Sequence, residues 1–300
     1  MKLHKLGDTS LLISSIGLGG MSLIPTQKEE NQQIISKARD AGINYFDTAD
    51  LYDKGENEKL LGKLLKPYRK EVILATKVGN KWRDDGSGWD WKASKTYILE
   101  AVESSLTRLQ TDYIDLYQLH GGTIEDPIED IIDAFEILKV QGKIRAYGIS
   151  SIRPNVIKTY LEKSQLSSIM MQYSLLDRRP EEYFDLISTH GVSVIARGTL
   201  SQGLLLDKPA KEYLSYSEEK VIEFKKKIHD LAKQLHASPQ TLSTAYTLVH
   251  RPVGSAIIGI RTAAQMEDLA ITINQLAKLN ANDLLPLEHG LKTIQYSDHR

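Results

Sequence analysis

Strand-like and helical patterns alternate along almost the whole chain, and that alternation leaves few folds open to it. Ile16 to Gly20 reads as a first strand. Lys28 to Ala41 has helical spacing through Ile34, Ile35 and Ala38, Gly42 is a stop, and a strand at Asn44 to Phe46 follows at once. The step then repeats, with helices at Glu56 to Leu65, Lys95 to Leu109, Ile128 to Lys139, Pro154 to Glu162 and Glu181 to Ser188. Strands between and after them are expected at Val72 to Thr76, Tyr113 to Gln118, Ile144 to Ile149, Ser168 to Met171 and Val192 to Ala196. Two helices, Glu218 to Leu235 and Pro239 to Leu248, precede an eighth strand at Ser255 to Ile258, and Ala263 to Leu276 closes the ring. Eight short β-rich runs separated by amphipathic helices, with no break in composition, predict an α/β fold of the (β/α)8 TIM-barrel kind over an open doubly wound sheet. Lys2 to Ser14, turning at Gly7-Asp8-Thr9-Ser10, predicts an N-terminal β-hairpin over one end. At 300 residues the chain is long for one domain, but α/β barrels routinely reach this size, so residues 1–300 are read as a single domain.

A formal net charge of -1, with 26% charged residues, lacks the basic footprint of a nucleic-acid binder and points to small-molecule partners. The absence of cysteine removes disulfides, thiolate nucleophiles and cysteine metal sites; no metal is implied. Without a signal-like apolar block or a run of 18 apolar residues, the expectation is a soluble, cytoplasmic protein that does not enter a membrane.

Such barrels carry their chemistry at the C-terminal ends of the strands. Three successive candidate strands end on titratable groups: Asp47 with Tyr52 just beyond it, Lys77, and His120. A phenol ordinarily titrates near 10 and donates a proton poorly at neutral pH unless a cation stabilises the phenolate. Lys77 can supply the cation, worth about 4 kcal/mol at about 4 Å and an effective dielectric near 20. Asp47 has the sign and place to keep Lys77 charged, and His120 can serve as a second donor or a relay. Such a site protonates a carbonyl oxygen while another species attacks the carbon. With no cysteine and no activated serine, that species is expected from a cofactor. Ser150, Ser151 and Gln172, at the ends of strands five and six, are groups of the sort that orient a carboxamide. Plainer roles stay open: a structural Asp47–Lys77 ion pair, a structural His120, and turn or capping roles for the serines and glutamine. Lys77 as a Schiff-base amine of a barrel lyase is a further alternative.

Two strand-end loops, Gly79 to Ser94 and Gly198 to Ser217, are longer than a connection needs; Trp82, Trp89 and Trp91 give the first the makings of a pocket wall. Residues from Ala281 onward are read as a helix or tail near the mouth.

From about Leu6 to Leu276 the chain resembles the aldo-keto reductase superfamily. The resemblance rests on Phe46-Asp47-Thr48-Ala49-Asp50-Leu51-Tyr52, Ala75-Thr76-Lys77, Asp115-Leu116-Tyr117-Gln118-Leu119-His120, Gly148-Ile149-Ser150 and Gln172-Tyr173-Ser174. It implies a barrel that binds NADPH without a Rossmann domain, a tetrad of Asp47, Tyr52, Lys77 and His120, and hydride transfer to an aldehyde or ketone. Asp47 would also border the cofactor. By the same resemblance Gly20 and Met21 lie along the nicotinamide, and Ser150, Ser151 and Gln172 hold its carboxamide; Ser151 stands where the family usually has Asn. Arg197 takes the place of the usual stacking aromatic, and Gly198, Leu200, Ser201 and Gly203 approach the pyrophosphate. Gly259, Arg261, Gln265 and Asp268 belong to a loop and helix start suited to the adenosine phosphate. Gln265 stands where some members carry Arg. The superfamily also includes potassium-channel β subunits, so a nucleotide-binding regulatory protein is the alternative function.

Overall fold

The structure is a computed structural model that describes residues 1–291 and 294–300. An antiparallel hairpin of β1 (Leu3–Lys5) and β2 (Leu12–Ser14) leads into β3 (Ile16–Gly19), the first of eight parallel strands that close into a barrel. The others are β4 (Tyr45–Asp47), β5 (Ile73–Val78), β8 (Ile114–Leu119), β9 (Ile144–Ser150), β10 (Ser168–Gln172), β11 (Ser193–Arg197) and β12 (Val253–Gly259). Each strand pairs with its neighbours in chain order, and β12 closes the ring onto β3. The expected barrel and hairpin are both present.

Around the strands run α1 (Lys28–Asp40), α2 (Glu56–Leu65), α3 (Lys95–Leu109), α4 (Ile128–Val140), α5 (Pro154–Lys163), α6 (Glu181–Thr189), α7 (Glu218–Gln234), α8 (Pro239–Val249) and α9 (Ala263–Leu276). Their buried stripes explain the periodicity. In α1 the residues turned to the sheet are Asn31, Ile34, Ile35 and Ala38, and Gly42, at φ +84°, supplies the left-handed turn that releases the chain toward β4.

Among the described residues two apolar cores result. The larger lies between strands and helices; the smaller fills the barrel with Tyr45, Ile73, Ala75, Leu116, Ala146, Met170 and Ile195. Leu6, Leu11 and Ile13 of the hairpin join that inner core, so the hairpin plugs the barrel's N-terminal end and function is left to the other. Gly17 makes room for this filling, because a Cβ there would lie 2.7 Å from the Tyr45 ring. Asp115, fully buried, receives Leu74 N–H at 3.0 Å and ion-pairs with Arg69 and Arg145.

The loop after β5 is more ordered than its sequence suggests. β6 (Asn80–Trp82) and β7 (Trp89–Trp91) form a small antiparallel hairpin. Trp82 Nε1 donates to the Leu51 carbonyl at 3.0 Å, and Trp91 Nε1 to Asp126 at 2.8 Å. The C-terminal segment forms both a helix and a tail, but the helix does not start near the mouth: α10 (Ala281–Glu288) packs on α7 and α8 and its first residues border a cleft with Met1, Lys2 and His4 at the hairpin end, while farther on His299 O accepts from Asn155 N and Tyr296 is buried under Arg179. Among the described residues no helix is long and apolar enough to cross a membrane.

Candidate active site

Parallel register places the polar strand ends at one mouth. Asp47 pairs with Ala75, and Lys77, two residues farther along β5, pairs with Gln118 of β8. Lys77 is 1% exposed; its Nζ donates to Asp47 Oδ1 at 2.5 Å and to the Thr48 carbonyl at 2.8 Å. Gln118 Nε2 donates to the second Asp47 oxygen at 3.3 Å. Burial opposes the charge on Lys77, but attraction to Asp47 and Tyr52 outweighs it and holds the ammonium above the usual lysine range.

Tyr52 stands half-buried on the turn after β4, its ring centre 5.2 Å from Lys77 Nζ. His120 meets that ring edge-on, with centroids 5.8 Å apart. The turn is bought with backbone strain: Asp53 (φ 49°) and Lys54 (φ 54°) are both left-handed, at roughly 1–2 kcal/mol each. Burial first, then Lys77 and Arg197, push His120 down to about 3, so its imidazole is neutral near pH 7 and offers a single N–H. Its Nδ1 is buried without a hydrogen-bond partner among the described residues. The four groups expected to act together are therefore assembled, with the histidine in its neutral form.

Asp50, unassigned from sequence, belongs to the same buried region. Its Oδ1 has no hydrogen-bond partner among the described residues, and burial, reinforced by Glu58, raises its carboxyl to about 8. Glu58 is fully buried, receiving Thr76 Oγ1 at 2.6 Å and Arg108 Nε at 2.6 Å. Because the folded-state value lies above the unfolded one, Asp50 contributes stability present below about pH 4 and lost as pH rises through about 8. Asp50→Asn should therefore be more stable than the parent, by a margin growing on the order of 1 kcal/mol per pH unit between about pH 5 and 8. Urea unfolding at several pH values measures that margin, and a constant gap would contradict a protonated Asp50.

Beside this cluster opens a cleft of about 590 Å³. Gly259 of β12 pairs with Gly19, which pairs with Asp47, so the cleft begins one strand away from the polar cluster. Gly198, Leu200, Gly203, Gly259, Arg261, Gln265 and Asp268 all line it. Ser201 does not: it is buried, with Oγ donating to Ser174 Oγ at 3.0 Å, because the left-handed turn at φ 48° directs it inward. Lys208, Asp207 and Ser22 also line the cleft and were not picked out from sequence; Asp207 and Lys208 lie far along the loop after β11. Gln265 Oε1 caps Arg261 N–H at 2.9 Å, and the Ala263 N–H at the start of α9 is occupied by Glu30 at 2.5 Å. Gly20 lies buried at the end of β3 and Met21 beside it is 68% exposed. Ser150 and Gln172 end their strands half-buried; Ser151 Oγ accepts from Arg153 N at 3.2 Å, the turn role open to it. The exposed Arg197 donates to Gln172 Oε1 at 3.1 Å.

Barrel and site together define a class: the chain belongs to the aldo/keto reductase family, whose model matches residues 15–284. Among solved structures it is similar to aldo-keto reductase AKR11C1 from Bacillus halodurans in its holo form, with TM-score 0.94, 46% identity and coverage of 100% of this chain and 99% of the other. The "Uncharacterized oxidoreductase YqkF" of Bacillus subtilis is 48% identical over the full length of both chains. The NADH-specific methylglyoxal reductase of Escherichia coli is 30% identical, over 91% of this chain and 94% of its own.

Proposed function

We propose that residues 1–300 form one catalytic unit, a cytoplasmic NADPH-dependent reductase that converts small aldehydes or ketones to alcohols. The observation that carries this reading is the buried ammonium of Lys77, held by Asp47 and placed against Tyr52. Tyr52 gives its phenolic proton to the carbonyl oxygen, and Lys77 stabilises the phenolate left behind. Asp47 keeps Lys77 charged and aimed, while neutral His120 donates an N–H to the same oxygen and orients the substrate. A lysine held as an ammonium is a poor nucleophile, which weighs against the Schiff-base alternative.

The cleft suits the phosphate and adenosine part of an extended dinucleotide, with the turn backbone of Gly198, Leu200 and Gly203 and two cations, Lys208 and Arg261, in its lining. Gly20 and Met21 would lie along the nicotinamide, and Ser150, Ser151 and Gln172 would meet the carboxamide. Arg197 would stack on the ring. Gly198, Leu200 and Gly203 would approach the pyrophosphate, with Ser201 bracing that turn from inside. Gly259, Arg261, Gln265 and Asp268 would hold the adenosine end. Bound there, the nucleotide supplies the hydride.

Titration of the purified protein with NADPH and NADH, followed by a carbonyl panel with the better-bound nucleotide, tests the proposal; binding without turnover across the panel would favour the regulatory alternative. NADH is the specific rival, because the Glu30 carboxylate at the start of α9 repels a 2′-phosphate placed against that helix end. Arg261→Ala is expected to weaken NADPH about tenfold and NADH by less than about twofold, the loss of one charge-assisted phosphate contact. Equal losses for both nucleotides would remove Arg261 from 2′-phosphate recognition.

A further inference from the structure

Gln172 sits among three polar neighbours that admit only one orientation of its amide. Its Nε2 lies 2.8 Å from Asp177 Oδ2 and 3.2 Å from Tyr213 Oη, and its Oε1 lies 3.1 Å from the Arg197 guanidinium. A guanidinium can only donate and a carboxylate can only accept, so exchanging amide oxygen and nitrogen would set donor against donor and acceptor against acceptor. Asp177 is itself fixed. It is fully buried, and Arg179 grips both its oxygens at 2.7 Å, with the Arg179 guanidinium lying 4.9 Å from the centre of the buried Tyr296 ring. Asp177 lies five residues beyond Gln172, on a turn closed by the reciprocal Ser174–Asp177 backbone bridge.

We propose that Asp177 is a positioning residue that locks the Gln172 amide with its oxygen toward the cofactor, so that the site selects a nicotinamide ring bearing an N–H donor. This rests on the proposed nucleotide reading and adds the residue that enforces it. With Nε2 held from behind, Oε1 is the atom left to accept from the carboxamide nitrogen, in the place where Arg197 now donates. The reacting ring would thus be oriented by a carboxylate that never touches it.

The test compares binding of NADPH with that of its reduced 3-acetylpyridine analogue, which keeps the carbonyl but lacks the N–H donor. Protein fluorescence gives both dissociation constants for the full chain, and their ratio is the readout. The wild type should prefer NADPH by about fivefold, the loss of one hydrogen bond. Asp177→Asn can both donate and accept, frees the amide to turn, and should bring the ratio to within about twofold of unity. A merely structural role would weaken both ligands alike and leave the ratio unchanged. If the wild type discriminates and Gln172→Met abolishes discrimination while D177N retains it, the lock is overturned and the Gln172 assignment stands. If the wild type shows no preference, or Q172M keeps it, the Gln172 assignment fails and the lock with it. Should D177N fail to fold because Arg179 is left unpaired, the charge-neutral D177N/R179Q variant gives the same readout.

Discussion

Tyr52→Phe is expected to lower kcat by about 10²–10⁴-fold while leaving the dissociation constant of the nucleotide nearly unchanged. The phenol is the proton donor whose ring stands against the fixed ammonium, with Lys77 Nζ 5.2 Å from its ring centre. His120 cannot take over. An imidazole pushed down to about 3 is neutral near pH 7, and releasing its remaining N–H proton outright would leave an imidazolate. Asp47 is occupied by Lys77 and Gln118. The hydroxyl removed is absent from the lining of the cleft assigned to the phosphate and adenosine part, so most nucleotide contacts are kept. Stopped-flow and steady-state assays with one active carbonyl substrate separate the two effects. Turnover within a few-fold of the parent would eliminate Tyr52 as the acid.

The sequence exposed the barrel because each buried strand is a short apolar run and each helix carries a stripe such as Ile34, Ile35 and Ala38. It was less informative where charge enters the interior. The strand expected to end at Thr76 continues through Lys77 to Val78, because the charge is paired inside the barrel mouth and does not end the ladder. Three-residue strands around Trp82 and Trp89 are too short for periodicity to separate from a loop. Candidate catalytic residues are read from strand ends and candidate cofactor residues from the family resemblance, so groups arriving from elsewhere go unnoticed. Lys208 reaches the cleft from a long loop, and Asp177 acts through Gln172. Glu58 enters from a helix that otherwise carries an ordinary mixture of charges, and its burial beside Asp50 follows from how α2 packs against α3. Ser201 shows the reverse failure, since a hydroxyl in the expected segment is turned inward by its own backbone.

Lys77→Met should destabilise the fold by about 3–5 kcal/mol, because it strands a buried carboxylate whose remaining side-chain partner is Gln118 at 3.3 Å. The magnitude comes from the orphaned charge more than from the lost attraction. The double variant Lys77→Met/Asp47→Asn should therefore recover much of the loss, although it removes a second charge. Neither variant should recover turnover, since the cation that stabilises the Tyr52 phenolate is absent from both. Urea unfolding of the parent, both single variants and the double variant closes the cycle, and the same four proteins are assayed for turnover. Stability that returns without activity would separate the two duties of the pair, neutralising a buried charge and making a phenol a usable acid. A K77M protein as stable as its parent would instead show that Asp47 is not an unpaired anion without the lysine, and that the pair holds its site together by packing rather than by charge.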